Sequence, residues 1–139
     1  MTNRIIVVPT TMLAKLAAAF ILVVGVLGVA HAAWVVNAKS GQPIEVMGGG
    51  HFRVDANGKE WPVSAEILTR PKNGHVTTQI SSGQRKLKNG QVRTVRLARV
   101  VYQSNKAFVG EDSFTYRYVS ADPTDPYNGK EITVAVTVR

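Results

Sequence analysis

Cysteine is absent from all 139 residues, which excludes disulfides and thiolate metal sites and leaves stability to an apolar core and backbone pairing. Acidic residues are few, 9 against 17 basic ones, so the formal net charge is +8. Histidine occurs only at His31, His51 and His75, which leaves little scope for imidazole chemistry. Helical periodicity is missing after residue 36. The one long apolar run spans residues 16–36.

That run points to a compartment. Residues 17–30 are almost wholly apolar, Arg4 and Lys15 precede them without an acid, and Ala30-His31-Ala32 follows the small-x-small pattern of a signal-peptidase site. We read residues 1–33 as a secretory signal helix, with Met12 as an alternative start, and residues 34–139 as one exported domain, periplasmic or extracellular. The competing reading is an uncleaved anchor over residues 16–36, a length that crosses a bilayer. Without Arg4 and Lys15, 15 basic and 9 acidic residues remain, a net +6. A domain of this size buries somewhat over roughly 60% of its unfolded surface, enough for one core.

Short alternating runs punctuated by Gly, Pro and Asn fill the rest of the chain, which predicts an all-β fold. The clearest strand places Ile132, Val134, Val136 and Val138 on one face. Its expected hairpin partner carries Phe114, Tyr116 and Tyr118, with residues 121–129 as a loop between them. Earlier strands are expected over residues 44–47, 52–55, 63–68, 76–80 and 92–103. Asn-Gly at 57–58, 73–74, 89–90 and 128–129 marks candidate reversals. Residues 92–103 fit two inward phases, each of which buries an arginine, and a bulge near Arg96 would reconcile them. About seven strands is the count of a sandwich.

Pro71-Lys72-Asn73-Gly74-His75-Val76, Val101-Tyr102-Gln103-Ser104-Asn105 and Ala107-Phe108-Val109-Gly110-Glu111-Asp112-Ser113-Phe114-Thr115-Tyr116 together resemble the bacterial Ig-like and cadherin-like repeats of secreted and cell-surface proteins. The resemblance covers residues 67–138 and implies an Ig-like antiparallel β-sandwich. Gly110 permits an unusual backbone geometry, Asp112 and Ser113 can bond the turn backbone, and Phe114 and Tyr116 then enter the core. Tyr116 is also expected to tie its hydroxyl to nearby backbone, as in a tyrosine corner. The chain departs from the repeats where their acidic opening segment would stand, reading Met47-Gly48-Gly49-Gly50-His51-Phe52-Arg53-Val54-Asp55, and it holds a single copy.

No catalytic constellation emerges, and neither an enzyme nor a cofactor is expected. His51 and His75 lack a motif that would pair them with a nucleophile. His75 reads as an exposed strand-start residue, and His51 follows three glycines that suggest a flexible binding loop. Asp122 and Asp125 are a weak calcium candidate but fit turn capping better, while Glu111 and Asp112, being adjacent, diverge. Trp34 and Trp61 are read as core, the alternative being platforms for a sugar ring. Arg85, Lys86, Lys88, Arg93, Arg96, Arg99 and Lys106 form a stretch without an acid. They read either as guards of a strand edge or as a site for anionic glycan or lipid. Nucleic acid is not expected, since Tyr102 is the only aromatic available there for stacking. The function that follows is a non-enzymatic binding or structural role at the cell envelope, with an unidentified envelope protein or polyanion as partner. An enzyme or enzyme inhibitor with loop-borne active residues is the remote alternative.

Overall fold

The structure is a computed structural model and describes residues 33–139. The signal helix expected over residues 1–33 and its cleavage pattern lie outside the described residues, apart from Ala33. Nine strands follow: β1 (Trp34–Ala38), β2 (Pro43–His51), β3 (Arg53–Val54), β4 (Glu60–Trp61), β5 (Val63–Thr69), β6 (Gly74–Lys86), β7 (Val92–Ser104), β8 (Gly110–Ser120) and β9 (Glu131–Val138). Seven are substantial, and β3 and β4 form a two-residue hairpin around Asn57-Gly58. The fold is all-β, as its alternation predicts.

One sheet runs β1-β9-β8-β5 and the other β2-β7-β6. The expected β8–β9 hairpin forms, with Phe114 opposite Val134 and Tyr116 opposite Ile132. The sheets are not wholly antiparallel, because β1 lies parallel to β9 with Trp34 opposite Val134. A strand entering beside the last one can run alongside it without any tight turn. Trp34, Val35 and Val36, the last residues of the apolar run, belong to this strand. Trp34 is 52% exposed, contrary to its reading as core: it shares a face with the buried Ala38, but it stands at the first position of an edge strand, where no further strand covers it. Trp61 is half-buried, and its indole N–H donates to Asp55 at 2.9 Å.

Both sheets contribute inward faces to one core. Val46, Val76, Ala98, Val100 and Tyr102 come from one sheet, and Phe114, Tyr116, Tyr118, Val134, Val136 and Val138 from the other. The rings of Tyr102 and Phe114 lie parallel with centroids 5.9 Å apart. The hydroxyl of Tyr116 donates to the Sδ of Met47 at 2.9 Å, so it ties β8 to β2 and not to nearby backbone as expected. Burial pushes the Tyr116 hydroxyl pKa well up. Asp112 takes the tie instead: buried, it accepts from the N–H groups of Lys72, Asn73 and Ser113 and from the Tyr102 hydroxyl.

The Asn-Gly pairs divide by role. Those at 57–58 and 89–90 sit at the tips of β3–β4 and β6–β7. Asn73-Gly74 instead carries the chain from one sheet to the other, since β5 and β6 belong to different sheets. Gly74 has no room for a side chain, because a Cβ would lie 2.5 Å from the Gln103 carbonyl oxygen.

Candidate functional site

The hairpin of β6 and β7 is longer than the core it helps to cover. Its ladder pairs Gly74 with Ser104 through to Lys86 with Val92 without a shift, so β7 contains no bulge near Arg96. The inward phase nevertheless changes, since Leu97 and Ala98 are adjacent and both fully buried. Ala98, Val100 and Tyr102 face the core, while Val95 and Leu97 are buried on the opposite face of the ladder. The irregularity lies in β2, where Val46 pairs with Val100 and His51 with Ala98, leaving residues 47–50 opposite Arg99 alone. Met47, Gly48, Gly49 and Gly50 all have positive φ, which costs the three glycines little and Met47, at φ +61°, a left-handed backbone penalty. The strand thereby leaves the sheet edge and crosses onto the far face of the β6–β7 arm.

Three of the arginines hold that crossing in place. Arg85, Arg93 and Arg99 share a face of the ladder with Val95 and Leu97, because opposed residues and alternate residues point the same way. Arg85 donates to the Gly49 carbonyl, and Arg93 donates to the Gly58 carbonyl at 2.6 Å. Arg99 donates to Glu45 at 2.6 Å and to the Ser81 hydroxyl at 2.7 Å. Glu45 also accepts from the Gly49 N–H at 3.0 Å. Where β2 has left the edge of β7, the Glu60 carboxylate accepts the Arg96 N–H at 2.7 Å. Arg85, Arg93 and Arg99 are thus engaged on the covered face of the arm, Arg99 in an ion pair with Glu45 and Arg85 and Arg93 through backbone carbonyls.

The cations that remain are separated. Lys86, Lys88 and Arg96 are exposed on the arm, and Lys106 is exposed in the turn after β7, roughly 40 Å along the strand from the arm's tip. Lys86 and Lys88 border a cleft of about 410 Å³ between the arm's tip and residues 52–58, lined also by Phe52, Arg53, Asp55 and Asn89. Asp55, the acid in that lining, is occupied by the Trp61 indole and by the N–H groups of Asn57 and Lys59. The indole bond and the Lys59 N–H hold its carboxyl below the ordinary carboxylate value. Among the described residues, Lys86, Lys88 and Arg96 join no ion pair.

Next to the cleft, residues 51–53 latch the β8–β9 loop. His51 Nε2 lies 2.8 Å from an Asp125 carboxylate oxygen, and its ring meets those of Tyr118 and Tyr127 at 4.7 and 5.6 Å. Arg53 donates to Asp122 at 2.6 Å and to the Thr124 hydroxyl at 3.1 Å. Each aspartate also caps its own turn: Asp122 accepts the Thr124 N–H, and Asp125 accepts the Tyr127 N–H. The Thr124 hydroxyl, and Arg53 after it, hold Asp122 below the ordinary carboxylate value. Burial pushes Asp125 up, but the bonds from His51 and the Tyr127 N–H outweigh it and leave its carboxyl lowered.

Chemically, the latch contains two of the three parts of a nucleophile–base–carboxylate arrangement. Among the described residues, His51 makes its side-chain hydrogen bond to Asp125, and no hydroxyl donates to its ring. The aspartates of the calcium candidate point at Arg53 and His51, and among the described residues no three His, Cys, Asp or Glu side chains gather to hold a metal ion. His75 is exposed on β6 as expected, and Glu111 and Asp112 diverge to opposite faces of β8. The contacts His51–Asp125 and Arg53–Asp122 join residues 74 and 69 apart in the chain, and the only hint of them in the sequence is that both aspartates fall in a proline-rich turn. No family model, curated protein or solved structure matches the chain.

Proposed function

We propose that this chain is an exported, non-enzymatic Ig-like domain that acts by binding at the cell envelope, and that it binds anionic glycan or lipid through the tip of the β6–β7 arm. Strand order supports the Ig-like part. With β3–β4 set aside as an insertion, β2-β7-β6 and β5-β8-β9 reproduce the B-E-D and C-F-G neighbours of that sandwich, with β1 moved beside the last strand. The motif from Gly110 to Tyr116 falls on the strand that would be F, with Asp112, Phe114 and Tyr116 all buried.

One observation carries the binding part. Lys86 and Lys88 border an open cleft and make neither an ion pair nor a side-chain hydrogen bond among the described residues, whereas Arg53 and Arg99 beside them are ion-paired and Arg85 and Arg93 donate to backbone carbonyls. Cations that do no work for the fold are available to a phosphate, sulfate or carboxylate. The two sources of that chemistry are separated by using anionic-lipid vesicles in one arm of the experiment and a soluble anionic polysaccharide in the other. Parent binding should weaken as salt rises. Replacing Lys86, Lys88 and Arg96 by Gln should reduce vesicle binding by roughly 100-fold, at about 1 kcal/mol per charge near such a surface, with the melting curve unchanged. Absence of binding to both probes at low salt would leave the domain a structural element of the envelope.

A further inference from the structure

The two sheets end in four edge strands, and three of them are guarded. β1 is only five residues long. β2 opens with Pro43 and breaks at residues 47–50. β5 carries Glu66 and a register shift near Thr69. Short length, proline, charge and bulges are the usual protections against edge pairing. β6 has none of them along its middle. It pairs regularly with β7 over its whole length, and from Val76 to Gln84 it reads Val-Thr-Thr-Gln-Ile-Ser-Ser-Gly-Gln without a charged side chain.

The direction of its free backbone groups follows from the ladder. At one end the Asn105 N–H donates to the Asn73 carbonyl, and at the other the Leu87 N–H donates to the Gln91 carbonyl. Odd-numbered residues of β6 are therefore the ones that exchange hydrogen bonds with β7, and even-numbered residues turn theirs outward. Val76, Thr78, Ile80, Ser82 and Gln84 thus present N–H and C=O groups to the open edge. Ile80 stands at the middle of this row and is 49% exposed.

We propose that β6 pairs antiparallel with β6 of a second copy of this chain, about a two-fold axis at Ile80. That register sets each even residue opposite an even residue: Ile80 on Ile80, Thr78 on Ser82, Val76 on Gln84. About ten ladder bonds form between Val76 and Gln84, and the two exposed Ile80 side chains cover each other on one face. The charge pattern fits a self-pair. Arg85 falls opposite His75 and Lys86 opposite Gly74, so within the strand no Lys or Arg faces another across the seam, although each copy is basic; Lys72 and Lys88, which this register would oppose, lie outside β6. The result is one six-stranded sheet, β2-β7-β6-β6-β7-β2. This surface lies on the edge of β6 and is independent of the cleft at the arm's tip.

The test uses the protein recovered from an exporting host. Sedimentation over a broad concentration range should show a reversible dimer, and hydrogen exchange should slow at the amides of Thr78, Ile80 and Ser82 as concentration rises. Ile80→Lys sets two like charges opposite each other, and Ser82→Pro removes an N–H that points away from β7, so both should be monomeric with a parental circular dichroism spectrum. The chain has no cysteine of its own. Ile80→Cys should therefore cross-link to itself with a short bismaleimide, while Val109→Cys, exposed but remote from the seam, should not. A parent that stays monomeric at every concentration overturns the proposal, as does a dimer that survives both variants. Protection of the edge only when an extended peptide of different sequence is added would also overturn it and assign the edge to a foreign strand.

Discussion

Asp112 serves four donors at once: the N–H groups of Lys72, Asn73 and Ser113, and the Tyr102 hydroxyl, at 2.9–3.0 Å. One carboxylate thereby fixes the crossing between the sheets and the buried end of Tyr102, whose hydroxyl pKa is pushed well up by burial and by this bond. Asp112→Ala leaves those donors without their acceptor, and a buried donor left unpaired costs more than the bond it had been making gained. We expect a loss of about 3 kcal/mol or more, read as the urea midpoint. An unchanged midpoint would show that water replaces the carboxylate at no cost. The sequence makes Asp112 visible as a turn-bonding residue because the Gly110–Tyr116 pattern places it next to core aromatics. It does not reveal that two of the four donors come from 40 and 39 residues away, nor that Tyr116 would meet the Met47 sulfur, since both contacts depend on how the sheets face each other.

At the scale of the element, strands were the most legible feature and their irregularities the least. Alternation located β5, β7, β8 and β9 closely, yet the conflict of phase within residues 92–103 pointed to a bulge in β7 when the extra residues lie in β2. A strand read alone cannot say which partner absorbs an irregularity. The signal was present in Gly48-Gly49-Gly50, which suggests a flexible binding loop until its place against Arg99 and Ala98 is known. Substitutions there should differ sharply. At Gly50, with φ +75°, a Cβ would lie 2.8 Å from the Ala98 carbonyl oxygen and 2.9 Å from Arg99 Cγ, whereas at Gly48, with φ +43°, it would meet nothing within 4 Å. Gly48→Ala should cost about 1 kcal/mol, the penalty of a left-handed backbone alone. Gly50→Ala adds a steric clash with backbone and should cost about 3 kcal/mol, within the range for strained positions. Equal losses of stability in thermal melts would mean that the crossing is soft and can move away from β7.

For the whole molecule, composition and pattern gave the fold class, but not the way distant charges are spent. The basic stretch reads as one patch in sequence, and the ladder divides it: Arg85, Arg93 and Arg99 turn to the covered face, while Lys86, Lys88 and Arg96 stay open. The β8–β9 loop is likewise held from the other sheet's continuation, by His51 and Arg53. That dependence on ion pairs makes the molecule acid-sensitive with a definite sign. Asp122 and Asp125 titrate below 3.8 in the folded state, where Thr124, Arg53, His51 and the Tyr127 N–H favour their charged forms. In the unfolded chain they return to about 3.8, so between the two values the unfolded state binds more protons and acid favours unfolding. Their contribution is complete above the unfolded value and is lost as pH falls through the folded ones. Urea midpoints should therefore vary little with these groups above about pH 5 and drop steeply below about pH 4. Asp125→Asn should be less stable than the parent near neutrality yet show a shallower acid slope, because one of the responsible carboxyls is gone. A variant that loses stability in acid as steeply as the parent would place the sensitivity elsewhere, in the general repulsion of a chain that is already basic.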